Sequence, residues 1–185
     1  VYGEASPGEL FDESARTHPK AWYAQGKIHA EELIRRFGVT YGIDNLILRI
    51  SNPYGFRQPV KKQQGVIPRL IRSAKFSEKF VMWGDGSAIK DYLHIDDLYH
   101  ALEQALTRRV TGTLNVARGQ SISLTTLTQL VSTLMERPLL VEKSAAKCWD
   151  VQRSFIDIKK AEEILQWVPN IDIKSGLKRY INEIA

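Results

Sequence analysis

A tyrosine and a lysine four residues apart, Tyr23 and Lys27, form the pair best suited to chemistry in this sequence. The surrounding residues predict a helix, and residues four apart in a helix share one face. A tyrosine that passes a proton near neutral pH needs its pKa lowered from about 10, and a neighbouring cation has that effect. The same spacing also occurs by chance as a plain surface pair, so the rest of the sequence must decide.

Length, composition and charge narrow the possible functions. The chain has 185 residues, 43% of them hydrophobic, which is enough for a core in one domain or somewhat more. Its net charge is +5, but Lys and Arg are scattered among acids, so we expect a basic pocket for an anionic small molecule and no nucleic acid. With one cysteine, Cys148, and no apolar run of about 18 residues, we expect a soluble cytoplasmic protein without membrane contact.

Periodicity and turn residues predict alternating helices and strands, which is typical of the α/β class. Helices are expected over 21–37 with Gly38 as the stop, from Pro68, from a cap at Asp96 or Asp97, from caps at Ser123 and Asp157, and over 174–184. Strands are expected at 44–50, 80–83, 91–95, 112–116 and 139–141, while 4–19 and 51–55 are expected to be loops.

A nucleotide-binding fold of this class usually opens with a glycine-rich turn between strand and helix. Neither G-x-G-x-x-G nor G-x-x-G-x-x-G occurs here. Either the chain is no dinucleotide enzyme, or it corresponds to the C-terminal part of one. Its first residues, which read as a strand end entering a loop, favour the second alternative.

Several short segments, each weak alone, occur in a telling order: 1–4, 22–27, 48–58, 83–97, 112–116, 150–151 and 165–169. Together they resemble the extended short-chain dehydrogenase/reductases, in the sugar-nucleotide epimerase/dehydratase branch typified by UDP-glucose 4-epimerase. The resemblance covers nearly the whole chain. It implies the C-terminal part of a Rossmann-like doubly wound parallel sheet and a smaller mixed α/β substrate-binding domain.

The resemblance also implies a division of the chain. Residues 1–58 would belong to the Rossmann-like NAD-binding domain, and 59–185 mainly to the sugar-nucleotide-binding domain, with 91–117 returning to the first. A Ser or Thr that family members carry just ahead of the first segment would precede Val1. We therefore expect the chain as given to lack a complete cofactor site and catalytic set, and to be inactive alone.

Catalytic and cofactor roles follow from the resemblance residue by residue. Tyr23 resembles the family's acid/base, and Lys27 resembles the residue that hydrogen-bonds the nicotinamide ribose and lowers the tyrosine pKa. Both would contact NAD, as would Pro53. The implied reaction is epimerisation of a nucleotide-diphosphate sugar at C4 through a transient 4-keto intermediate.

Further residues resemble the family's nucleotide site. Asn52 would hydrogen-bond the diphosphate, or it is only an Asx-turn residue before Pro53. Gly65 and Val66 would begin a helix whose N-terminus faces phosphate. The strand Val81 to Trp83 would pack on the base, where Trp83 either stacks or belongs to the core.

Two lysines depart from the family pattern. Lys90 and Lys147 stand where arginines usually bind the diphosphate, and a lysine lacks the two-pronged geometry of a guanidinium. Either is otherwise a solvated surface charge, and Arg118 or Arg153 could compensate. Asp150, three residues after Lys147, resembles the ribose-binding acid.

Ser154 resembles the residue beside the C2 substituent of the sugar. A small side chain there would admit an N-acetyl group, so the expected substrate is a UDP-hexose or a UDP-N-acetylhexosamine. Alternatively, Ser154 simply faces solvent.

Other polar residues give weaker functional signals. His94 reads as a packed core histidine, and no His, Cys or Asp spacing suits a metal.

Two alternative functions remain: a 4,6-dehydratase or reductase of the same branch, and a catalytically silent binding module. Retention of Tyr23 and Lys27 argues against the silent module. The family often forms homodimers through a helix bundle, for which the outer face of the Tyr23 helix, with Trp22, Leu33 and Phe37, could serve, or that face could pack on further parts of the protein.

Overall fold

Helices and strands alternate along the chain in the computed structural model, which describes residues 1–56, 58 and 65–184. The helices are α1 (Trp22–Tyr41), α2 (Val66–Phe76), α3 (Ile95–Thr107), α4 (Leu124–Met135), α5 (Lys159–Leu165) and α6 (Ile173–Ile184). The strands are β1 (Leu46–Ile50), β2 (Asn52–Tyr54), β3 (Phe80–Trp83), β4 (Ile89–His94), β5 (Gly112–Val116), β6 (Ser121–Ser123) and β7 (Val141–Ser144). The predicted α/β class is confirmed.

Parallel pairing dominates the strand contacts. β1 pairs with β5, β2 with β4, and β3 with β7, all parallel, while β6 lies antiparallel to β4. The pairing of β5 with β1 brings 112–116 beside 46–50, a contact that the proposed return of 91–117 to the first domain requires. The division into two domains itself remains a proposal.

Two buried clusters support the strands. The larger one joins α2, α4 and α6 to β3 and the β2–β4 pair, and its fully buried members include Leu70, Leu127 and Tyr180. The second joins α3 and α5 to β4 and β5, around Leu93 and Leu114. The helices of these two clusters, α2 to α6, turn their apolar sides toward the strands, as amphipathic helices in α/β folds do.

The first helix ends four residues later than predicted. Gly42 adopts a left-handed conformation with φ of 63°, and its N–H bonds to the carbonyl of Gly38. Gly38 lies inside the helix, where a Cβ would collide with the side chain of Asn45. Gly38 is therefore a close-approach residue, and Gly42 is the helix stop.

The cap of α3 was also predicted wrongly. His94 holds the cap position, and its Nδ1 accepts a hydrogen bond from the Asp96 N–H at 3.2 Å. The carboxylate of Asp97 instead accepts from the N–H groups of Asn170 and Ile171, both at 3.0 Å. His94 is also buried, with 1% of its surface exposed, and its ring packs edge-on against Tyr54.

Other boundaries differ by a few residues. Ser123 caps α4 as predicted, accepting from the Thr126 N–H at 3.0 Å, whereas the cap position of α5 is held by Ile158, with Asp157 accepting from the Lys159 N–H. The short strands β2 and β6 were missed, since three residues carry little alternation and Pro53 argues against a strand. Arg57, within the segment 48–58, lies outside the described residues.

Two helical glycines offer a matched test of packing. A Cβ at Gly176 in α6 would collide with the hydroxyl of Tyr54 and lie 2.9 Å from Cδ2 of His94, whereas a Cβ at Gly26 in α1 would meet nothing within 4 Å. We expect Gly176→Ala to lower the free energy of unfolding by about 1–3 kcal/mol through overpacking. Gly26→Ala should raise it by about 1 kcal/mol through helix propensity. Urea denaturation measures both, and equal shifts in the two variants would contradict this packing.

Candidate active site

A cavity of about 710 Å³ lies where the β1–β2 segment, the start of α2, β3 and β4 meet. Of the twelve predicted site residues, nine line it: Tyr23, Asn52, Pro53, Gly65, Val66, Val81, Trp83, Lys90 and Asp150. Lys27, Lys147 and Ser154 do not line it. The cavity thus collects residues from segments more than 120 positions apart in sequence.

Tyr23 and Lys27 lie in the first two turns of α1 and are side by side. The ammonium of Lys27 lies 5.3 Å from the centroid of the Tyr23 ring, as the four-residue spacing predicts. Tyr23 is 76% exposed, and Lys27 is also exposed. In the described part of the chain Lys27 forms no ion pair, so both groups are available to a ligand.

Asn52 lies in β2, not in the loop that the sequence suggested. Its side-chain amide donates to the backbone carbonyl of Asp91 at 2.7 Å, across the parallel pair of β2 and β4. This bond fixes the amide at the cavity wall. Because this bond reaches the neighbouring strand, it is not the local hydrogen bond of an Asx turn.

Lys90 and Asp150 form a direct ion pair. The Nζ of Lys90 lies 2.6 Å from Oδ1 of Asp150, and both side chains remain partly exposed at 27% and 35%. The backbone carbonyl of Asp150 also accepts from Lys20 at 3.1 Å. A nucleotide that needs the Lys90 charge must therefore share it with Asp150.

Lys147 packs on aromatic rings. Its Nζ lies 4.0 Å from the centroid of the Trp83 ring and 5.8 Å from that of Trp149, distances typical of cation–π contacts. Trp83 is 36% exposed, so it is not a core residue. Lys147 thus covers part of the side chain that was expected to pack on the base.

The two arginines that could have compensated for these lysines do not line the cavity. Arg153 pairs loosely with Glu4, with Nε and Oε1 3.7 Å apart. Arg118 lines a separate small cavity of about 30 Å³. A different arginine, Arg69, does line the main cavity and was missed, although it stands three residues after Val66 and so on the same helix face.

Ser154 is held through its backbone. Its N–H donates to the carbonyl of Ile89 at 3.1 Å, and its carbonyl accepts from the hydroxyl of Ser121 at 2.8 Å. Its side chain is partly exposed. A role as a gate beside the sugar therefore stays a prediction.

A buried ion pair connects the Tyr23 helix to the sheet. Glu31, two turns beyond Tyr23, receives Nε of Arg49 at 2.9 Å on one oxygen and NH2 of Arg49 at 2.8 Å on the other. Both side chains are 9% exposed. Arg35 adds a bond at 2.8 Å to the second oxygen. Burial alone would raise the pKa of Glu31, but the hydrogen bonds from Arg49 and Arg35 outweigh it, and its pKa is lowered.

The same network extends to the first residues and to β5. NH1 of Arg49 donates to the hydroxyl of Tyr2 at 2.9 Å, and this hydroxyl donates to Oδ1 of Asn115 at 2.6 Å. Burial raises the pKa of Tyr2 despite the hydrogen bond from Arg49. Sequence reasoning missed this network, although Arg49 is the one charged residue within the apolar strand and Glu31 follows Lys27 by one turn.

Asp91, a buried residue of β4, binds the loop that follows β5. It is 1% exposed, and its carboxylate accepts from the N–H groups of Arg118 at 2.9 Å and Gln120 at 3.2 Å. Burial raises its pKa even though these bonds act in the opposite direction. Its contacts make it a residue that holds the loop after β5.

The described residues contain neither a membrane-spanning helix nor a metal-binding cluster. None of their helices has the length and apolarity needed to cross a membrane. Within the same ranges, no group of three or more His, Cys, Asp or Glu residues is arranged to hold a metal ion.

Comparison with known proteins gives consistent matches. The model of the NAD dependent epimerase/dehydratase family matches residues 1–117. A Methanocaldococcus jannaschii protein named "Putative UDP-glucose 4-epimerase" is 33% identical over 98% of this chain and 59% of its own length. A dTDP-glucose 4,6-dehydratase of Neisseria gonorrhoeae is 29% identical over 98% of this chain and 56% of its own length.

Solved structures agree with these matches. The UDP-glucose 4-epimerase of Thermotoga maritima, crystallised with UDP-glucose, superimposes with a TM-score of 0.91 at 26% identity, covering 99% of this chain and 59% of that one. The Rossmann-like architecture is thus confirmed. The chain spans somewhat under three fifths of the length of the curated relatives described above.

The buried ion pair can be tested against an exposed one on the same helix. Glu31→Gln leaves the Arg49 charge buried without its partner, which should lower the free energy of unfolding by about 3–5 kcal/mol. Glu32 pairs with Arg36 at 2.6 Å, with the two side chains 51% and 75% exposed. Glu32→Gln should therefore cost only about 0.3–0.5 kcal/mol. Chemical denaturation compares the two, and equal losses would contradict the burial argument.

The same pair predicts a pH dependence. Because the folded-state pKa of Glu31 lies below its ordinary value of 4.5, its stabilisation is present above that value and is lost as pH falls through the folded pKa. The wild-type chain should therefore lose stability more steeply below about pH 4.5 than Glu31→Gln does. If the free energies of unfolding of the wild-type chain and of Glu31→Gln fall in parallel as the pH is lowered, this assignment is wrong.

Proposed function

Since this chain belongs to the NAD dependent epimerase/dehydratase family, we propose that the protein it forms part of epimerises a nucleotide-diphosphate sugar at C4 through a transient 4-keto intermediate. The observation that carries the proposal is the shared cavity: Tyr23 lines it together with Asn52, Lys90 and Asp150. An acid/base and the residues suited to a sugar nucleotide therefore face one space.

Tyr23 would act as the acid/base of this reaction. The phenolate of Tyr23 would take the proton from the C4 hydroxyl of the sugar, and the phenol so formed would return it to the C4 oxygen of the epimer. Lys27, one turn along α1 and without an ion-pair partner in the described ranges, would stabilise the phenolate. The exposure of both side chains leaves room for a sugar to approach them.

The residues present fit the nicotinamide end of NAD. Tyr23 and Lys27 offer uncommitted polar groups on an open helix face, and Pro53 lines the same cavity as Tyr23. These three residues would hold that end of the cofactor. NAD, when bound, would supply the chemistry of hydride removal from C4 and hydride return.

The nucleotide would occupy the rest of the cavity. Asn52 and Lys90 would bind the diphosphate, helped by the N-terminus of α2 at Gly65 and Val66, which carries no side-chain cap and no acidic residue in its first turn. Asp150 would bind the ribose. Val81 and Trp83 would pack on the base, and Lys147, stacked on Trp83, would act from outside the cavity.

Two alternatives keep specific support. The similarity to the gonococcal 4,6-dehydratase supports a dehydratase or reductase that would use Tyr23 and Lys27 of this chain. A silent binding module would fit the two lysines that replace arginines, but an exposed and adjacent Tyr–Lys pair argues against it. The residues that precede Val1 in the whole protein would distinguish these possibilities.

A homodimer in the cytoplasm is part of the proposal. Trp22, Leu33 and Phe37 on α1 are 91%, 61% and 59% exposed. This apolar surface would pair with a second copy, or it would pack on further parts of the same protein.

Removal of the Tyr23 hydroxyl tests the reaction directly. In the whole protein, Tyr23→Phe should lower kcat by roughly 10²–10⁴ because the proton transfer is lost, with little change in KM. Tyr41→Phe is the matched control, since Tyr41 is an exposed tyrosine at the other end of α1. Interconversion of UDP-glucose and UDP-galactose is the assay. A near-normal kcat in Tyr23→Phe would exclude Tyr23 as the acid/base, and release of a 4-keto-6-deoxy sugar would favour the dehydratase.

Ser154 tests the proposed range of sugars. If its small side chain admits an N-acetyl group, Ser154→Tyr should lower kcat/KM for UDP-N-acetylglucosamine far more than for UDP-glucose, because the added ring excludes the larger sugar. The two substrates serve as controls for each other. Equal losses, or no use of the N-acetyl sugar by the parent protein, would assign sugar choice to another residue.

A further inference from the structure

Arg69 is a positively charged residue in the cavity wall, and no role for it was predicted from the sequence. It lies on α2 directly after Pro68 and is half-buried. Its guanidinium carbon lies 5.4 Å from the centroid of the Phe80 ring, a stacking distance that holds the planar group in place. Arg69 and Phe80 both line the cavity.

The charge of Arg69 is not neutralised within the described ranges, 1–56, 58 and 65–184. No carboxylate there pairs with it. Arg72, one turn further along α2, gives the contrast: it forms a two-pronged pair with Glu78, at 2.8 and 2.7 Å, and lies outside the cavity. Arg69 therefore keeps its N–H donors for something other than a surface ion pair.

The polar groups of the cavity fall into two sets. Asn52 and Lys90 are tied to β4 and Asp150, through the bonds to the Asp91 carbonyl and the Asp150 carboxylate. Arg69 belongs to the other set, because it stacks on Phe80 of β3 and lines the same cavity as Val81 and Trp83 of that strand. In the proposed function this second set faces the nucleobase.

We infer that Arg69 reads the edge of the nucleobase and selects bases that present a carbonyl oxygen, namely uracil, thymine or guanine, over cytosine and adenine. A guanidinium has five N–H donors and no acceptor. It can donate to O4 of uracil or thymine and to O6 and N7 of guanine, but it meets a competing amino donor on cytosine or adenine. This inference rests on the proposed function only for the presence of a nucleoside diphosphate in the cavity.

UDP and CDP provide the sharpest pair of probes, since their bases differ only along one edge: uracil has a carbonyl at C4 and an N3–H, and cytosine has an amino group at C4 and an unprotonated N3. Calorimetric titration of the whole protein should show tighter binding of UDP than of CDP by about 5- to 150-fold, the range of one well-placed base contact. Arg69→Met should weaken UDP binding until the two affinities are nearly equal, while CDP affinity changes little. Arg69→Lys, which keeps the charge and stem but loses the fork, should also lose most of the preference.

Arg72→Met is the matched control, because it removes the same group from the same helix outside the cavity. Its preference for UDP should equal that of the parent protein. Equal weakening of UDP and CDP binding in Arg69→Met would assign Arg69 to the diphosphate and overturn the inference. A parent protein that binds UDP and CDP equally well would also overturn it, and so would an Arg69→Met variant that keeps the preference for UDP. Because the titrations use no sugar, a protein that prefers UDP but epimerises nothing would refute the proposed reaction and leave this inference standing.

Discussion

The buried pair of Glu31 and Arg49 is the interaction on which the geometry of the site depends. Burying two charges is costly, and it is offset only when their hydrogen-bonding groups are satisfied. Here both oxygens of Glu31 and all three nitrogens of Arg49 have partners. The pair joins α1 to β1 and, through Tyr2 and Asn115, to β5. Since Lys27 and Tyr23 lie one and two turns before Glu31 on about the same helix side, fixing Glu31 fixes the direction in which they point.

The opposite wall of the cavity is held by packing instead of charge. α2 and β3 rest on the buried cluster shared with α4 and α6. The charged side chains of Lys90 and Asp150, which line the same cavity, are only partly buried. Lys90 is neutralised by Asp150 and Lys147 is stacked on Trp83. Such contacts satisfy these two lysines within the protein, and a diphosphate that binds there as proposed would compete for them. The energetic consequence is that binding strength depends on exchange of partners as much as on the number of positive charges.

Local sequence patterns were sufficient for the class of fold, for the bounds of β3 and β5, for the Ser123 cap and for the adjacency of Tyr23 and Lys27. They failed where a residue's role is set by a distant part of the chain. Gly38 read as a helix stop because its reason for being glycine, the side chain of Asn45, lies outside the helix. His94 was expected only to pack, and nothing in its neighbours revealed that its ring would cap α3. Arg69 could be placed in the cavity only once α2 and β3 were known to face each other.

The first helix carries its buried anchor and its exposed Tyr–Lys pair at different places along its length. The end that carries the pair has no side-chain cap, no acidic residue in the first turn and a glycine between Tyr23 and Lys27. Gly26 costs such a helix about 1 kcal/mol relative to alanine, and no packing contact in the described ranges requires it, since a Cβ there would meet nothing within 4 Å. The helix tolerates this weak, open end because Glu31 anchors it two turns further on. An exposed pair held by a buried anchor can meet large ligands from the solvent side without losing its orientation.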